Sequence, residues 1–557
     1  MRTRLFLLFL AVTALLGSLA LPIARAEDSP TVAPVPEPTV TGPVADEVGL
    51  KGEPWFDPPF VLEEAQPFPY VSEEFFVEGV ARDLVGSAAD APYKTRILVV
   101  RPQNATDFSG TVVVEWDNVT AQAALNPLFM WDHPYLLREG HAFVSVSAQA
   151  AGVCCTPVSH AGWDPPRYGD LSHPGDVYSY DIYAQAIESL RRNTVSTDGV
   201  AGGVPIVGGL TAVLGNPLQT PIPGGYPVMG DLAVTNVLAT GTSQSAGRLH
   251  TYLDQIQGIH ADNIDGVLLD AGGSRTFTRP PVIPTIHFLS EDGLNATEPN
   301  VGGASLMGTD NNYRLWEVPG ASHADAEFSR YIEDGLYGTH ILETPPLPWK
   351  QWDDRRFSFR YGDDGLSLRA GCQPLGYGDN TYPRRYAARA AMDQLVRWTT
   401  SDDTVAPPSK PGKGKGRDKK QPPAPVEFEA VQPPRVEFDA TGTEVRDANR
   451  QVVGGVRLPQ IDVPIADYLA TTCGLFGHTI GYDPITLSTL YPTTDVYVAQ
   501  MQAAVDRALE AGFMLEPEAD ELRFQLESAV VPSYRAPKLP GATQEGAAHL
   551  LATLVGG

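Results

Sequence analysis

Residues Val234–His250 read VTNVLATGTSQSAGRLH, and the reading of this stretch decides the fold. Val234 to Ala239 is an apolar, β-branched run. The chain then breaks at Gly241, turns through Ser243 and continues as a helix-compatible Ser-Ala-Gly-Arg-Leu segment. A hydroxyl becomes a useful nucleophile when it is held exposed on such a strained bend, beside a base and beside backbone N–H groups that can receive negative charge. Gly241 and Ser245, two positions to either side, are small enough for the bend to close. The pattern G-x-S-x-S is one small-residue exchange from the G-x-S-x-G nucleophile elbow. Ser243 also suits a plainer role as N-cap of the following helix, so residues further along the chain have to decide.

A serine of this kind needs a histidine and an acid, and in folds with this elbow they follow the serine in the order acid, then histidine. Tyr313-Arg314-Leu315-Trp316-Glu317-Val318 alternates like a strand, Pro319-Gly320 breaks it, and Ala321-Ser322-His323-Ala324-Asp325 follows as a loop. His323 therefore sits just past a strand end, from where its ring can swing over the serine. The other histidines have duller explanations: His287 lies inside a strand-like run, His141 starts a strand, His133 precedes a proline at a helix start, and His250 lies on the helix after the elbow.

For the acid, Val282 to Leu289 is a buried-strand run that ends in Ser290-Glu291-Asp292-Gly293. One of these carboxylates is expected to hold the imidazole in the correct tautomer. Glu291 is the first candidate, Asp292 the second, and Asp270, at the end of Val267-Leu268-Leu269, the third. Attack by Ser243 creates an oxyanion that needs two donors. The backbone N–H of Gln244 is the expected first. The second is expected from a backbone N–H near Asn118, in the Trp116-Asp117-Asn118-Val119 segment that leaves the strand Thr111–Glu115. Ser245 is a minor alternative nucleophile, and Trp116 suits either a pocket wall or the core.

Strand-like runs at Thr95–Arg101, Thr111–Glu115, Ala142–Ser147, Val234–Ala239, Val267–Leu269, Thr285–Leu289 and Tyr313–Val318 alternate with helix-like segments, the clearest being Tyr178–Arg192, Ser245–Gln257 and Arg385–Trp398. Such alternation predicts an α/β fold, a mostly parallel sheet covered by helices on both faces.

Several stretches together carry a resemblance: GTSQSAGRL at 241–249, YRLWEVPGASHAD at 313–325, YSYDIYAQA at 178–186, CGLFG at 473–477, LLREGHAFVSVSAQAAGV at 136–153 and GGVRLPQIDVP at 454–464. From about residue 70 to about residue 530 the chain resembles a family of secreted bacterial proteins, the α/β-hydrolase-domain family of the Abhydrolase_10 type. The resemblance implies an α/β-hydrolase fold with insertions and a C-terminal extension packed on the core. It also implies a serine hydrolase with Ser243 as nucleophile and His323 as base. At the acid position relatives carry a Ser/Thr-Glu pair, often with a second acid two residues later; this chain keeps Ser290-Glu291 but has Gly293 there, which favours Glu291.

The N-terminus reads as an export signal: Met1-Arg2-Thr3-Arg4, an apolar stretch from Leu5 to Leu21, and the small-x-small site Ala24-Arg25-Ala26. Residues 1–26 are thus expected as a signal peptide, 27–45 as a Pro-rich flexible or extended leader, 46–400 as the hydrolase core, and 426–557 as a C-terminal part packed on it. Residues 401–425, with their run of lysines among Gly and Pro, are expected as a mobile basic loop and a weak contact to an anionic envelope polymer. The irregular stretches 193–230 and 324–384 are expected to supply the substrate pocket.

Loss of Arg2, Arg4 and Arg25 on cleavage takes the formal charge from −27 to −30, which argues against nucleic acid or an anionic membrane face as partner. No later run is long and apolar enough to span a bilayer. The mature protein is expected to be secreted, in the periplasm, cell envelope or medium. Cys154-Cys155 and the pair Cys372 and Cys473 leave every disulfide pairing open, and no zinc-type spacing accompanies them. No cofactor or metal is required for the chemistry. The expected activity is carboxylic-ester hydrolysis, on a small-molecule or polymeric ester. The alternatives are acyl transfer on the same residues, amide hydrolysis, or a non-catalytic envelope-binding protein that keeps the fold.

Overall fold

The structure, a computed structural model, describes residues 34–45, 48–51, 54–55, 69–191, 227–257, 263–272, 274–307, 311–329, 331–332, 379–400, 428–472, 474–527 and 529. The expected signal peptide, the basic loop, Cys372 and Cys473 lie outside the described residues, as do most of the two stretches expected to form the pocket.

Nine strands make one sheet: β1 (Thr39–Thr41), β2 (Tyr70–Ala81), β3 (Ala91–Pro102), β4 (Thr111–Trp116), β5 (Ala142–Val146), β6 (Asn236–Thr242), β7 (Gly266–Asp270), β8 (Thr285–Ser290) and β9 (Tyr313–Val318). Their spatial order is β1-β2-β3-β5-β4-β6-β7-β8-β9. The six from β5 to β9 run parallel, and β1, β2 and β3 add an antiparallel edge. All seven strand-like runs of the sequence lie in this sheet. β2 went unread because its paired Glu73-Glu74 and Phe75-Phe76 spoil the alternation that marks a half-buried strand. Thr39–Thr41, within the expected leader, is extended and paired with β2, and Val35, Val40 and Val44 beside it are buried.

The central strands are buried on both faces, as parallel strands covered by helices must be. On β4, Val113 enters one core with α1 (Pro127–Arg138) and α4 (Arg384–Thr400), while Val112 and Val114 enter the other with α2 (Ser179–Arg191) and α3 (Gln244–Thr251). The first core continues without a break into α5 (Thr494–Glu510) and α6 (Glu516–Glu527) and into the 430–468 segment. A buried ion cluster reinforces that junction: Glu518 of α6 takes Arg138 of α1 through both oxygens, at 2.7 and 3.0 Å, and Arg389 of α4 at 3.0 Å. Helix α1 begins at Pro127, so His133 lies mid-helix, not at a helix start as the sequence suggested; Pro134 sits inside the same helix. Helix α3 passes into a π-helical turn at Tyr252–Ile256, which covers the range expected for one helix.

Asp132, also on α1, is fully buried and neither carboxylate oxygen has a hydrogen-bond partner. Burial pushes its carboxyl up to about 8; Arg389 and Arg384 oppose the shift, and Asp270 and Glu518 add to it. A carboxyl whose folded value is raised keeps its proton after the unfolded chain has lost its own, so folding is progressively disfavoured as pH rises from about 4 to about 8. Asp132→Asn should therefore unfold in urea much like the parent at pH 4. At pH 9 it should be the more stable of the two, by on the order of 1–4 kcal/mol. A difference between the two proteins that does not vary with pH would contradict this account.

Candidate active site

Parallel strands bring the candidate residues to the same edge of the sheet. Ser243 follows β6, Ala271 and Gly272 follow β7, Glu291 and Asp292 follow β8, and His323 lies beyond β9, all at the carboxyl ends of neighbouring strands. The register keeps those ends level, with Thr242 opposite Asp270, Asp270 opposite Phe288, and Ser290 opposite Val318. The crevice outside the carboxyl ends of an open α/β sheet is where ligands bind in such folds.

The turn at Ser243 has φ +60° and ψ −114°, a conformation that residues with a side chain rarely adopt. Three contacts hold it. The Ser243 N–H donates to the Asp270 carbonyl at 2.8 Å. The Ser245 hydroxyl donates to the Thr242 carbonyl and accepts from the Thr242 N–H, both at 2.9 Å. Glycines stand where nothing larger fits: a Cβ on Gly241 would fall 2.8 Å from the Ser245 carbonyl carbon, and one on Gly272 would fall 2.3 Å from the Ser243 carbonyl oxygen. Gly272 is fixed in turn by His287, whose Nε2–H donates to its carbonyl at 2.6 Å while Nδ1 accepts from the Tyr313 hydroxyl at 2.8 Å. Burial pushes the His287 imidazole down to about 3, so it stays neutral in this structural role. Ser243 is half-buried and its side chain makes no capping bond to α3, whereas Ser245 is fully buried and committed to the turn.

The His323 ring meets Asp292, with Nδ1 at 3.2 Å from Oδ2. Burial favours the neutral Asp292 carboxyl, but the bond and charge of His323, the Ser290 hydroxyl at 2.5 Å and the Arg384 guanidinium outweigh it and hold the group below the ordinary carboxylate range. The ring thus meets the second of the acids read from the sequence, not the first. Glu291 is turned away from the ring: one oxygen accepts the Gly320 N–H at 2.6 Å and the other pairs with Arg446 at 2.5 Å, while its own N–H donates to the Ala321 carbonyl. Glu291 thus anchors the backbone of the loop that carries His323. Asp270, the third candidate, is taken by the Thr242 hydroxyl at 2.9 Å and by an ion pair with Arg384.

On the other side of Ser243, the Gln244 N–H opens α3, and the first turn of a helix presents N–H groups and a positive dipole end. Asn118 does not supply the second donor from its backbone, because its N–H is spent on the Leu125 carbonyl at 2.7 Å. Its side chain donates to the Thr242 carbonyl at 2.8 Å and so ties the loop after β4 to the elbow. The next N–H, that of Val119, faces the Gln244 side-chain carbonyl at 3.4 Å. Gln149 steadies that side chain: its carbonyl accepts from Gln244 at 2.9 Å and from Trp116 at 3.1 Å, and its amide donates to Asp176 at 3.0 Å. Trp116 itself is fully buried in the core, edge-on to Tyr180 and tilted against Tyr183.

A cavity of about 400 Å³ adjoins the site, lined by Ala271, Gly272, Leu289, Asp292 and His323, with Ser274, Thr276, Asn295 and Thr297 at its rim. Among the described residues its lining comes from the end of β8, the segments that follow β7 and β8, and the loop after β9 that carries His323. Cys154 and Cys155 form a vicinal pair with their sulfurs in contact. Among the described residues no cluster of His, Cys, Asp and Glu could hold a metal ion, and no helix is long and apolar enough to cross a membrane. Sequence reading missed Arg384 and Gln149, each of which bonds to partners distant in the chain.

No curated protein matches the chain. One family model does, over residues 40–523, a span that includes every strand of the sheet after Thr39 and every residue of the site just described. With its elbow at Ser243 and its predominantly parallel sheet of nine strands, the chain belongs to the Abhydrolase_10 family, described as an alpha/beta hydrolase domain.

Proposed function

We propose that the protein is a serine hydrolase of carboxylic esters in which Ser243 is the nucleophile, His323 the base and Asp292 the acid. The observation that carries this reading is the His323–Asp292 bond, formed at the strand ends beside a serine held at φ +60°. Ser243 Oγ attacks the substrate carbonyl carbon and its proton passes to His323 Nε2. The tetrahedral oxyanion is received by the N–H groups of Gln244 and Val119, the latter giving up its long 3.4 Å bond to the Gln244 side-chain carbonyl. Collapse breaks the ester C–O bond, and the leaving alcohol takes the proton back from the imidazole. Water, deprotonated by the same ring, then attacks the acyl-enzyme and frees the carboxylic acid and Ser243. Asp292 keeps Nδ1 protonated and stabilises the imidazolium that forms in each half-reaction.

The substrate reading follows from the cavity beside His323. At about 400 Å³ it is near the small end of ligand pockets, and its rim of hydroxyls and an amide suits a compact, polar ester better than a long acyl chain. The basic and apolar residues ahead of Ala24-Arg25-Ala26 support export of the enzyme.

The test is labelling with a serine-directed fluorophosphonate, followed by a chain-length series of p-nitrophenyl esters. The parent protein should be labelled, Ser243→Ala should not, and Ser245→Ala should remain labelled while losing about 1–2 kcal/mol of stability with its two turn bonds. Short acyl esters should be turned over faster than long ones. Labelling that survives Ser243→Ala would remove the assignment.

Exchange of the two neighbouring acids separates their roles. Asp292→Asn should lower kcat by about 100-fold or more, since the tautomer and charge of the base depend on it. Glu291→Gln, which touches only the loop backbone and Arg446, should change kcat by less than about tenfold and register chiefly as a lower melting temperature. Gly272→Ala should displace the Ser243 turn and reduce the labelling rate by about 100-fold, the scale of an ångström's misplacement.

A further inference from the structure

Arg384 lies at the start of α4, wholly buried, and joins the two halves of the site. One arm of its guanidinium pairs with the Asp270 carboxylate and the other donates to the His323 carbonyl at 3.0 Å. Asp270 is the residue whose carbonyl receives the Ser243 N–H and whose other carboxylate oxygen receives the Thr242 hydroxyl. An unbroken path therefore runs from the backbone of the nucleophile, through Asp270 and Arg384, to the backbone of the base. The guanidinium carbon lies over two rings, 3.9 Å from the Trp131 centroid and 5.0 Å from that of Phe288. Its Nε is buried without a hydrogen-bond partner.

A buried arginine is a poor stability device, because desolvating the charge offsets what the ion pair returns. A rigid planar fork does something that no other side chain does: it fixes two acceptors relative to each other. We infer that Arg384 is a positioning residue, which sets the distance and angle between the Ser243 turn and the His323 loop and neutralises Asp270 so that Asp292 alone acts on the ring. The inference rests on the hydrolase reading above. The charged groups facing the guanidinium are Asp270, through its ion pair, with Asp132, Asp292 and Asp325 close enough to feel its charge; those facing the His323 ring and its backbone are Asp292 and Arg384.

The chemistry gives opposite signs for the two ends of the bridge. Without the guanidinium, Asp292 loses one of the charges that hold its carboxyl below the ordinary range, so the acidic limb of the pH–rate profile moves to higher pH. With Asp270→Asn, the guanidinium is left uncompensated and the limb moves to lower pH, although the amide can keep a bond to Thr242. Lysine at position 384 retains a charge but cannot span both acceptors.

The experiment measures the fluorophosphonate labelling rate and ester kinetics across pH for the parent, Arg384→Lys, Arg384→Met and Asp270→Asn, each checked for folding by circular dichroism and melting. The expected result is a fall in kcat and labelling rate of at least about tenfold in both Arg384 variants with KM within about twofold, as for a lost alignment. It also includes a limb displaced upward in Arg384→Met and downward in Asp270→Asn. Folded Arg384 variants that react at the parental rate with an unmoved limb would overturn the inference. If neither Arg384 variant folds, the Asp270→Asn limb decides, and a limb that stays in place overturns it equally. A parent protein that is not labelled at all would instead remove the hydrolase reading on which the inference stands.

Discussion

The Ser243 turn is the constraint from which the rest of the site follows. A serine at φ +60° gives up conformational energy of about 1–3 kcal/mol, and such a turn persists only where its surroundings leave the chain no alternative. Here they leave none. Thr242 is locked to Ser245 on one side, the Ser243 N–H is fixed to Asp270, and the glycine after β7 lies so close beneath the turn that even a methyl group is excluded. His287, which reads as an ordinary buried histidine, belongs to the same support because it holds that glycine's carbonyl. The strain exposes the hydroxyl; the buried strands β6, β7 and β8 sustain it.

Three carboxylates stand near the imidazole, and environment separates their tasks. Asp270 is consumed by a guanidinium and a hydroxyl, Glu291 by a backbone N–H and a second guanidinium, and only Asp292 is left with an oxygen for the ring. The neighbours Glu291 and Asp292 diverge because they occupy a 3-10 turn, Glu291–Gly293, in which successive side chains are about 120° apart. A one-residue step along that turn carries the side chain from the loop's backbone to the ring.

That geometry also explains what could and could not be read from the residues. The parallel strands are runs of Val, Leu and Ile buried on both faces, and the elbow carries its small residues at fixed offsets, so β4 to β9, Ser243 and His323 are legible in one dimension. β2 breaks its alternation, and β1 is too short to carry a pattern. The acid depended on the pitch of a short turn, which periodicity does not encode. The Asn118 N–H is taken because Asn118 bonds in both directions with Leu125, a local pairing with no sequence signal. Arg384 was invisible for a different reason: its two partners lie 61 and 114 residues away, and a helix-start arginine looks like any solvated charge until the fold closes over it.

The same reasoning shows why motifs far beyond His323 belong to one unit with the sheet. The loop from Pro319 to Ala324 has no regular structure of its own, so each of its backbone groups must find a partner elsewhere. Gly320 donates to Glu291 and accepts from the Asn380 side chain at 2.7 Å, the Ala324 N–H donates to the Leu475 carbonyl at 2.9 Å, and Arg446 closes over Glu291 from the side. Leu475 lies within the CGLFG stretch, and the Asn380 N–H donates to the carbonyl of Phe476 in the same stretch at 3.2 Å. The loop that carries His323 is therefore held by chain that follows it by 151 residues, from Ala324 to Leu475. The C-terminal part thus serves the sheet and the loop together, sharing one continuous apolar core with the first and holding the backbone of the second.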